Sequence, residues 1–330
     1  WVLPAHALER IEEVLRKFEP EDPISRYKWL FVEAPDVVDV EENTWEQREE
    51  IIFGLRQGAL SEILKNGNFK DILALVGAAQ SPEDVGRVLG KAKLLSKDED
   101  VIPGCLASDN ANVVRFTQSY IRERFEELSW AWLGKLPLHE WSAVQASRFL
   151  LSIPSDRRAW VLVDQLGAKV VQLYWSQTNH TGRRLSTNDV EYAVSMLLKY
   201  NRPFMAVDVV RWALRNQRPI KPEVVMDVLD AGVETTGQSS ADLSLNQVYH
   251  HIQKLFGYLQ SLAAIDAERL AKLEWKYLAL LDGRHARPAT LHRYLSDNPD
   301  YFADFLKRLY PSRKSVSEVG RKLTEEDKSW

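Results

Sequence analysis

Apolar positions recur every three to four residues along most of this chain, which is the period of amphipathic α-helices. The first helix is predicted to begin at Pro4, with an apolar stripe made of Leu8, Ile11, Val14, Leu15 and Phe18. A longer helix is predicted from about Trp45 to Lys65, where Asn66-Gly67 ends it. Its inward face is predicted to hold Ile51, Ile52, Leu55, Leu60 and Ile63.

Shorter helices follow, and many are joined by turns that contain proline. After residue 66 the pattern predicts helices at 69–79, 81–93, 109–133, 138–153, 155–166, 186–200, 202–216 and 221–233. Ser81 is expected to cap the second of these, and proline at a first helical position restarts a helix after a turn. Helix pairs of about 30–45 residues predict an all-α fold, an irregular helical-hairpin solenoid of the HEAT or tetratricopeptide type.

Three segments depart from the helical pattern. Residues 29–32 are predicted to be extended or a buried loop, and 96–107 is predicted to be a loop that contains Pro103, Gly104 and Cys105. The run 170–175 fits a helix or a strand equally well, since short apolar runs do not separate the two.

The pattern also predicts how the chain is divided. We expect an N-terminal helical subdomain at 1–107, central hairpins at 108–233, a C-terminal unit at 245–310 and a charged tail at 311–330. The polar stretch 234–244 is predicted to be a linker. Because the chain begins at Trp1 without methionine, we expect it to be a piece of a longer polypeptide.

Composition is that of a water-soluble globular protein, with 45% hydrophobic and 27% charged residues. The net charge of −4 argues against a dedicated nucleic-acid or membrane-surface protein. Its single cysteine, Cys105, excludes an internal disulfide and indicates a reducing compartment. No apolar run is long enough to cross a bilayer, so we predict a cytoplasmic protein.

The motifs of nucleotide and metal enzymes are missing from the sequence. Gly90-Lys91 lacks the upstream glycine of a phosphate-binding loop, and no G-x-G-x-x-G occurs. His250 and His251 are adjacent, so a helix would point them about 100° apart. We therefore predict no cofactor, no metal site and, more generally, a non-enzymatic protein.

One pair of residues offers an alternative. Arg287 and His292 are separated by four residues, a spacing that resembles the R-x4-H motif of the HEPN family of helical ribonucleases. The resemblance implies that His292 activates a ribose hydroxyl and that Arg287 holds the scissile phosphate. Pro288 departs from the polar residue that commonly follows the arginine in that family.

Basic residues are concentrated near the C-terminus, where 281–322 holds nine Lys or Arg against five acids. Arg284, Arg287 and Arg293 are the predicted contact residues of this basic end. The first sixty residues show the reverse, with fourteen acids and seven bases. Such polarity can steer nucleic acid to one end, although it is also typical of solvated faces.

Eleven tryptophans are a further candidate source of binding residues. Trp160, Trp212 and Trp275 fall in apolar stripes and are predicted to pack in the core. Trp29, Trp130 and Trp132 are the predicted partner-binding residues, since aromatic side chains are enriched at the centres of interfaces.

The segment 273–310, with LEWKYLALLD, Pro288, Leu291-His292-Arg293 and Asn298-Pro299-Asp300-Tyr301-Phe302, resembles the helical C-terminal regions of large bacterial multidomain proteins of ATPase-like or antiviral-defence type. The resemblance implies a bacterial, cytoplasmic scaffold or sensor. The leading hypothesis is a helical-repeat region that binds a protein partner or a neighbouring domain. A nucleic-acid-binding module is the alternative, and a small-molecule pocket between hairpins is a third.

Overall fold

The computed structural model describes residues 4–37, 44–95, 98–179, 185, 187–234, 245–281 and 287–309. Within these ranges every regular element is a helix and none is a strand, which confirms the predicted all-α class. No helix in the described ranges is both long and apolar enough to cross a membrane.

The chain forms two compact units, 1–178 and 179–330. This boundary falls inside the predicted central segment 108–233. The helices of unit 1 are α1 (Ala5–Phe18), α2 (Pro23–Tyr27), α3 (Trp45–Asn66), α4 (Phe69–Ala78), α5 (Pro82–Ala92), α6 (Asp98–Leu106), α7 (Ala111–Leu133), α8 (Ala143–Leu150), α9 (Arg157–Gln165) and α10 (Ala168–Gln177), with 3₁₀ turns at Lys28–Leu30 and Leu138–Glu140.

Unit 2 is described in the same terms. Its helices are α11 (Thr187–Lys199), α12 (Pro203–Arg215), α13 (Pro222–Glu234), α14 (Leu245–Gln260), α15 (Ala267–Lys276), α16 (Ala289–Asp297) and α17 (Pro299–Leu309), with a 3₁₀ turn at Leu278–Leu280. The predicted linker 234–244 and the tail 311–330 lie outside the described residues, apart from Glu234.

Side-chain caps explain where many helices begin. Thr44, Asn68 and Ser142 each accept a hydrogen bond from the first turn, and a polar side chain at N3 bonds back to the cap amide. The prediction that Ser81 caps α5 is wrong, because its hydroxyl makes no cap bond. Instead the Ser81 amide donates to the Phe31 carbonyl at 2.9 Å, which ties the start of α5 to the segment after α2.

Two further predictions are decided or changed by the structure. The buried-loop alternative fits residues 29–32 better than the extended one, since a 3₁₀ turn covers Lys28–Leu30 and both Leu30 and Phe31 are buried. The predicted loop 96–107 is largely helix α6 with Pro103 inside it, and Asp98 at its start accepts bonds from Tyr120 and Arg124 of α7. Packing against α7 and α8 thus outweighs the breaking tendency of proline.

The ambiguous run 170–175 is helical. Val170, Tyr174 and Trp175 are its buried members, and their spacing of four and five residues places them on one side of α10. The single helix predicted at 138–153 is divided, because Ser142 caps a new helix after the 3₁₀ turn.

Two glycines allow the close packing of α5 against α7 in unit 1. A Cβ atom on Gly86 would overlap the carbonyl oxygen of Phe116. A Cβ atom on Gly90 would lie 3.0 Å from the Tyr120 carbonyl and 2.9 Å from the Glu123 Cβ. Gly90 therefore serves helix packing.

A buried guanidinium joins α3 to the segment after α2. Arg56 is 2% exposed; its Nε donates to the Leu30 carbonyl at 2.7 Å, and one Nη donates to the Val32 carbonyl at 2.9 Å. The same Nη lies 3.0 Å from the Asp84 carboxylate of α5. Burial lowers the pKa of Arg56, and the Asp84 charge opposes that shift. Arg56 thus satisfies three oxygens that water does not reach easily.

A buried carboxylate satisfies backbone groups in unit 2, as the Arg56 guanidinium does in unit 1. Glu274 of α15 is fully buried and accepts bonds from the amides of Thr290 and Leu291 at 3.3 and 2.6 Å, which begin α16. The side-chain amide of Gln260 donates to the same carboxylate at 2.7 Å. Because the first amides of a helix lack partners within the helix, Glu274 fixes where α16 starts.

Some predicted core stripes are exposed. Ile11, Val14 and Phe18 of α1 face solvent, with Phe18 80% exposed, and Ile51 and Leu55 of α3 are also exposed. Ile52, Leu60 and Ile63 are buried as predicted. In the C-terminal segment Tyr277 is buried, whereas Phe302 is exposed.

Replacing the buried guanidinium tests its role in unit 1. We expect Arg56→Met to lower the free energy of unfolding by about 2–5 kcal/mol, because it leaves the carbonyls of Leu30 and Val32 without their donor and removes one of the two cations that hold Asp84. The measurement is urea unfolding followed by circular dichroism.

Arg87→Met is the matched control, since Arg87 bonds to the same Asp84 at 2.8 Å from a half-exposed position. It is expected to change stability by less than about 1 kcal/mol. Equal effects of the two variants would contradict this role.

Candidate functional site

The backbone breaks its helical geometry immediately before Trp130. Ser129 lies within α7 at φ 56° and ψ −158°, a combination that non-glycine residues rarely adopt. Such a residue costs about 1–3 kcal/mol and persists only where surrounding contacts enforce it. The break turns the last four residues of α7 out of the line of the preceding helix.

Contacts on two sides hold the indole of Trp130. Its ring meets that of buried Phe125 edge to face, with centroids 5.3 Å apart. The guanidinium carbon of Arg158 lies 5.9 Å from the Trp130 ring centre, within the range of a cation–π contact. The tryptophan is half-buried, so part of its surface remains open to a partner.

A groove of about 420 Å³ lies between this end of α7 and the start of α9, and we name it the tryptophan groove. Its lining is mainly apolar, with two arginines at its side. The lining residues are Trp130, Leu133, Gly134, Arg157, Arg158, Val161 and Leu162. Val161 is 45% exposed, so it contributes accessible apolar surface to the groove.

The two arginines occupy positions that the helix itself does not favour. Arg157 and Arg158 are the first residues of α9, where the partial positive charge of the helix end favours acidic side chains. Asp156 caps this end, and its carboxylate accepts hydrogen bonds from the amides of Arg158 and Ala159 at 2.8 and 3.1 Å. The groove is therefore an apolar depression beside a concentration of positive charge, able to take an apolar side chain and neighbouring carboxylates.

The three tryptophans that the sequence predicts as binding residues separate in the structure. Trp130 lines the tryptophan groove. Trp132 is buried and packs on Phe149 with ring centroids 5.7 Å apart, so it belongs to the core and not to a binding surface. Trp29 is 47% exposed and does not line the groove. Of the three predicted core tryptophans, Trp160 is buried, whereas Trp212 and Trp275 are half-buried.

The predicted basic end is only partly described. Arg284 lies outside the described residues, and Arg287 and Arg293 are exposed. His292 lies exposed in α16, while Arg287 precedes that helix. The carbonyl of Arg287 accepts a bond from Gln260 at 2.6 Å, and Glu274 already holds the first amides of α16. These contacts give this turn a structural role, and the ribonuclease hypothesis for Arg287 and His292 stays a prediction.

Other reactive side chains are accounted for by packing. Cys105 is buried in α6, which raises the pKa of its thiol. His251 lies 3.3 Å from Asp208; burial and then Arg211 lower the pKa of its imidazole, and Asp208 opposes them. Among the described residues no three His, Cys, Asp or Glu side chains gather as a metal site would require.

Sequence reasoning overlooked the residues that give the groove its charge and shape. Arg157-Arg158 directly after a capping aspartate is a visible signal, because it opposes the helix dipole without an acidic residue in the same turn. No sequence signal marks the break at Ser129, since serine is an ordinary helix residue there.

Glycine at position 129 tests the backbone break. We expect Ser129→Gly to raise the free energy of unfolding by about 1 kcal/mol, because glycine adopts positive φ without strain. Glu126→Gly, three residues earlier in the regular part of α7, is expected to lower it by about 1 kcal/mol. Urea unfolding of both variants measures the sign of each change in the free energy of unfolding. A loss of stability in Ser129→Gly equal to that in Glu126→Gly would show a regular helix at Ser129.

Comparison with known protein families, with curated proteins and with solved structures finds no match to this chain. The resemblance of 273–310 to bacterial multidomain proteins accordingly stays a prediction. Functional inference rests on the geometry of the two units.

Proposed function

We propose that this chain is a non-enzymatic helical binding protein whose unit 1 docks a segment of a protein partner in the tryptophan groove. The occupant is a short peptide segment that carries one large apolar side chain with carboxylates next to it. The observation that supports this most is the half-buried Trp130, which follows a strained Ser129 and lies beside the arginine pair of α9.

The physical chemistry of interfaces supports this choice. Tryptophan and arginine are the residues most enriched among those that dominate binding energy, and they act best around a dry apolar centre. Trp130, Leu133 and Leu162 supply such a centre, while the arginines supply a charged rim. Backbone strain next to the binding residue is the pattern expected where a fold trades stability for a defined surface.

The solenoid arrangement predicted from the sequence belongs to the same proposal. Each helix packs mainly on near neighbours in the chain; α12, for example, contacts α11, α13 and α14. Contacts of this kind are typical of helical-repeat proteins, which use extended surfaces to bind partners. We propose that the chain serves as a scaffold or sensor region of this type within a larger bacterial cytoplasmic polypeptide.

A peptide library tests the proposal without a known partner. Random peptides displayed on phage are selected against the wild-type chain, and individual peptides are then measured by titration. We expect enriched peptides to carry Trp, Phe or Leu with Asp or Glu within a few residues. Trp130→Ala is expected to weaken their binding about thirty-fold, a change typical of a central interface residue. Arg158→Glu is expected to weaken it as well.

Trp29→Ala is the matched control, since Trp29 is an exposed tryptophan of the same unit outside the groove. It should leave the affinities within about two-fold of wild type. Peptides that bind Trp130→Ala as tightly as wild type, or selection that yields no peptide dependent on Trp130, would contradict the proposal.

A further inference from the structure

Unit 2 contains a second open cavity, unrelated to the tryptophan groove. It lies between the C-terminal half of α12, the turn after it and α14, and its volume is about 670 Å³. We name it the basic cleft, because four of its eight lining residues are Arg211, Arg215, Arg218 and Lys254 and none is acidic. A volume of this order is that of a site for a small organic molecule.

The periodicity of the α-helix places three of the four cations on one side of α12. Arg211, Arg215 and Arg218 are spaced by four and three residues, so they follow one side of α12 into its terminal turn. Gln217 adopts φ 55°, and the amide of Arg218 returns to the Ala213 carbonyl at 3.0 Å. This left-handed residue ends α12 and turns the chain back on itself, which keeps Arg218 beside the cleft. Lys254 joins them from α14.

These four side chains lack ionic partners in the part of unit 2 that the structure describes. None of the four cations forms an ion pair with a carboxylate among the residues that the structure describes. Arg218 lies over the ring of Trp212, with its guanidinium carbon 5.3 Å from the ring centre, a contact that leaves its N–H edges open. Elsewhere in the unit, by contrast, Arg269 is held by Asp227 and Asp230.

Arg211 is less accessible than Arg215 and Lys254. Its Nε is inaccessible to solvent and has no hydrogen-bond partner in the described structure. A ligand in the open cleft therefore does not reach this atom, and Arg211 contributes chiefly its positive charge. The positive charge of Arg211 also contributes to the lowered pKa of His251, so its field is felt by neighbouring groups.

We propose that the basic cleft binds a small organic molecule bearing two or more phosphate groups. Four cations balance a ligand of several negative charges, and guanidinium groups match phosphate oxygens in bidentate geometry. Leu214 and Pro219 supply apolar wall. The hydroxyl of Tyr258 donates a hydrogen bond to the Ile220 carbonyl at 2.9 Å. The ring of Tyr258 is therefore the part that can contact the organic portion of the ligand. A nucleoside polyphosphate has this combination of charge and flat apolar surface.

The helix dipole accounts for only part of this cluster of cations. Basic residues near a helix C-terminus are favoured by the helix dipole, which accounts for Arg215 and in part for Arg218. It does not account for Lys254 on a different helix. It also does not require a cavity between them.

Titration of the whole chain with inorganic triphosphate, ATP and adenosine tests the proposal. At about 150 mM salt, where weak surface charge effects are screened, we expect both phosphates to bind and adenosine to bind far more weakly. The double variant Arg215→Gln/Lys254→Gln changes two exposed cations on two helices. It is expected to weaken ATP binding about ten-fold or more, as loss of charge-assisted hydrogen bonds predicts. Arg218→Gln, which keeps Arg215 and Lys254, is expected to weaken it in the same direction.

The matched control is Lys199→Gln/Lys272→Gln, which removes the same charge from exposed positions on two other helices of the same unit, α11 and α15, outside the cleft. It should change ATP affinity by less than about two-fold. Urea unfolding confirms that each variant remains folded. Equal losses in both double variants, or no binding of either phosphate at about 1 mM, would overturn the proposal. So would a twelve-nucleotide single-stranded RNA that binds the cleft more tightly than ATP, since the site would then serve nucleic acid.

Discussion

The ends of helices are the constraint on which this fold depends. The chain is divided into many short helices, and each helix end leaves backbone groups without partners inside the helix. Where an end is buried, another part of the chain must supply the missing partner. Arg56 does this for the carbonyls of Leu30 and Val32, and Glu274 does it for the amides that begin α16. Each is a buried charge, retained because removing it would leave other polar groups unpaired.

The two proposed binding surfaces also lie at helix ends. The tryptophan groove forms where Ser129 interrupts α7 and where Asp156 starts α9. The basic cleft forms where Gln217 ends α12. At both places the backbone leaves the helix in a defined direction, so side chains that would spread around a continuous helix converge on one cavity. Both proposed binding surfaces thus lie at breaks in helices, whereas the buried helix ends elsewhere are stabilised by side chains such as Arg56 and Glu274.

Periodicity was sufficient to predict the helical class and most helices, because amphipathic spacing and capping residues are local properties. It did not predict contacts between distant residues. Arg56 reaches a segment 26 residues away, and Glu274 caps a helix that begins well after it. The exposure of Ile11, Val14 and Phe18 in α1 and the burial of Trp132 also differ from the prediction, since the neighbours of a helix decide which apolar face is covered. The sequence shows that Arg211, Arg215 and Arg218 are basic and helically spaced. It does not show that Lys254 lies beside them, because that depends on how α14 packs on α12.

Hydrogen exchange of individual amides tests most directly the claim that buried side chains replace missing helix-end partners. Amides in the first turn of a helix normally exchange rapidly with solvent. Because the carboxylate of Glu274 binds the amides of Thr290 and Leu291 in a buried position, both should exchange as slowly as amides in the middle of α15. The amide of Lys70, which donates to an exposed cap on Asn68, should exchange much faster. Exchange of Thr290 and Leu291 at the rate of Lys70 would contradict the account.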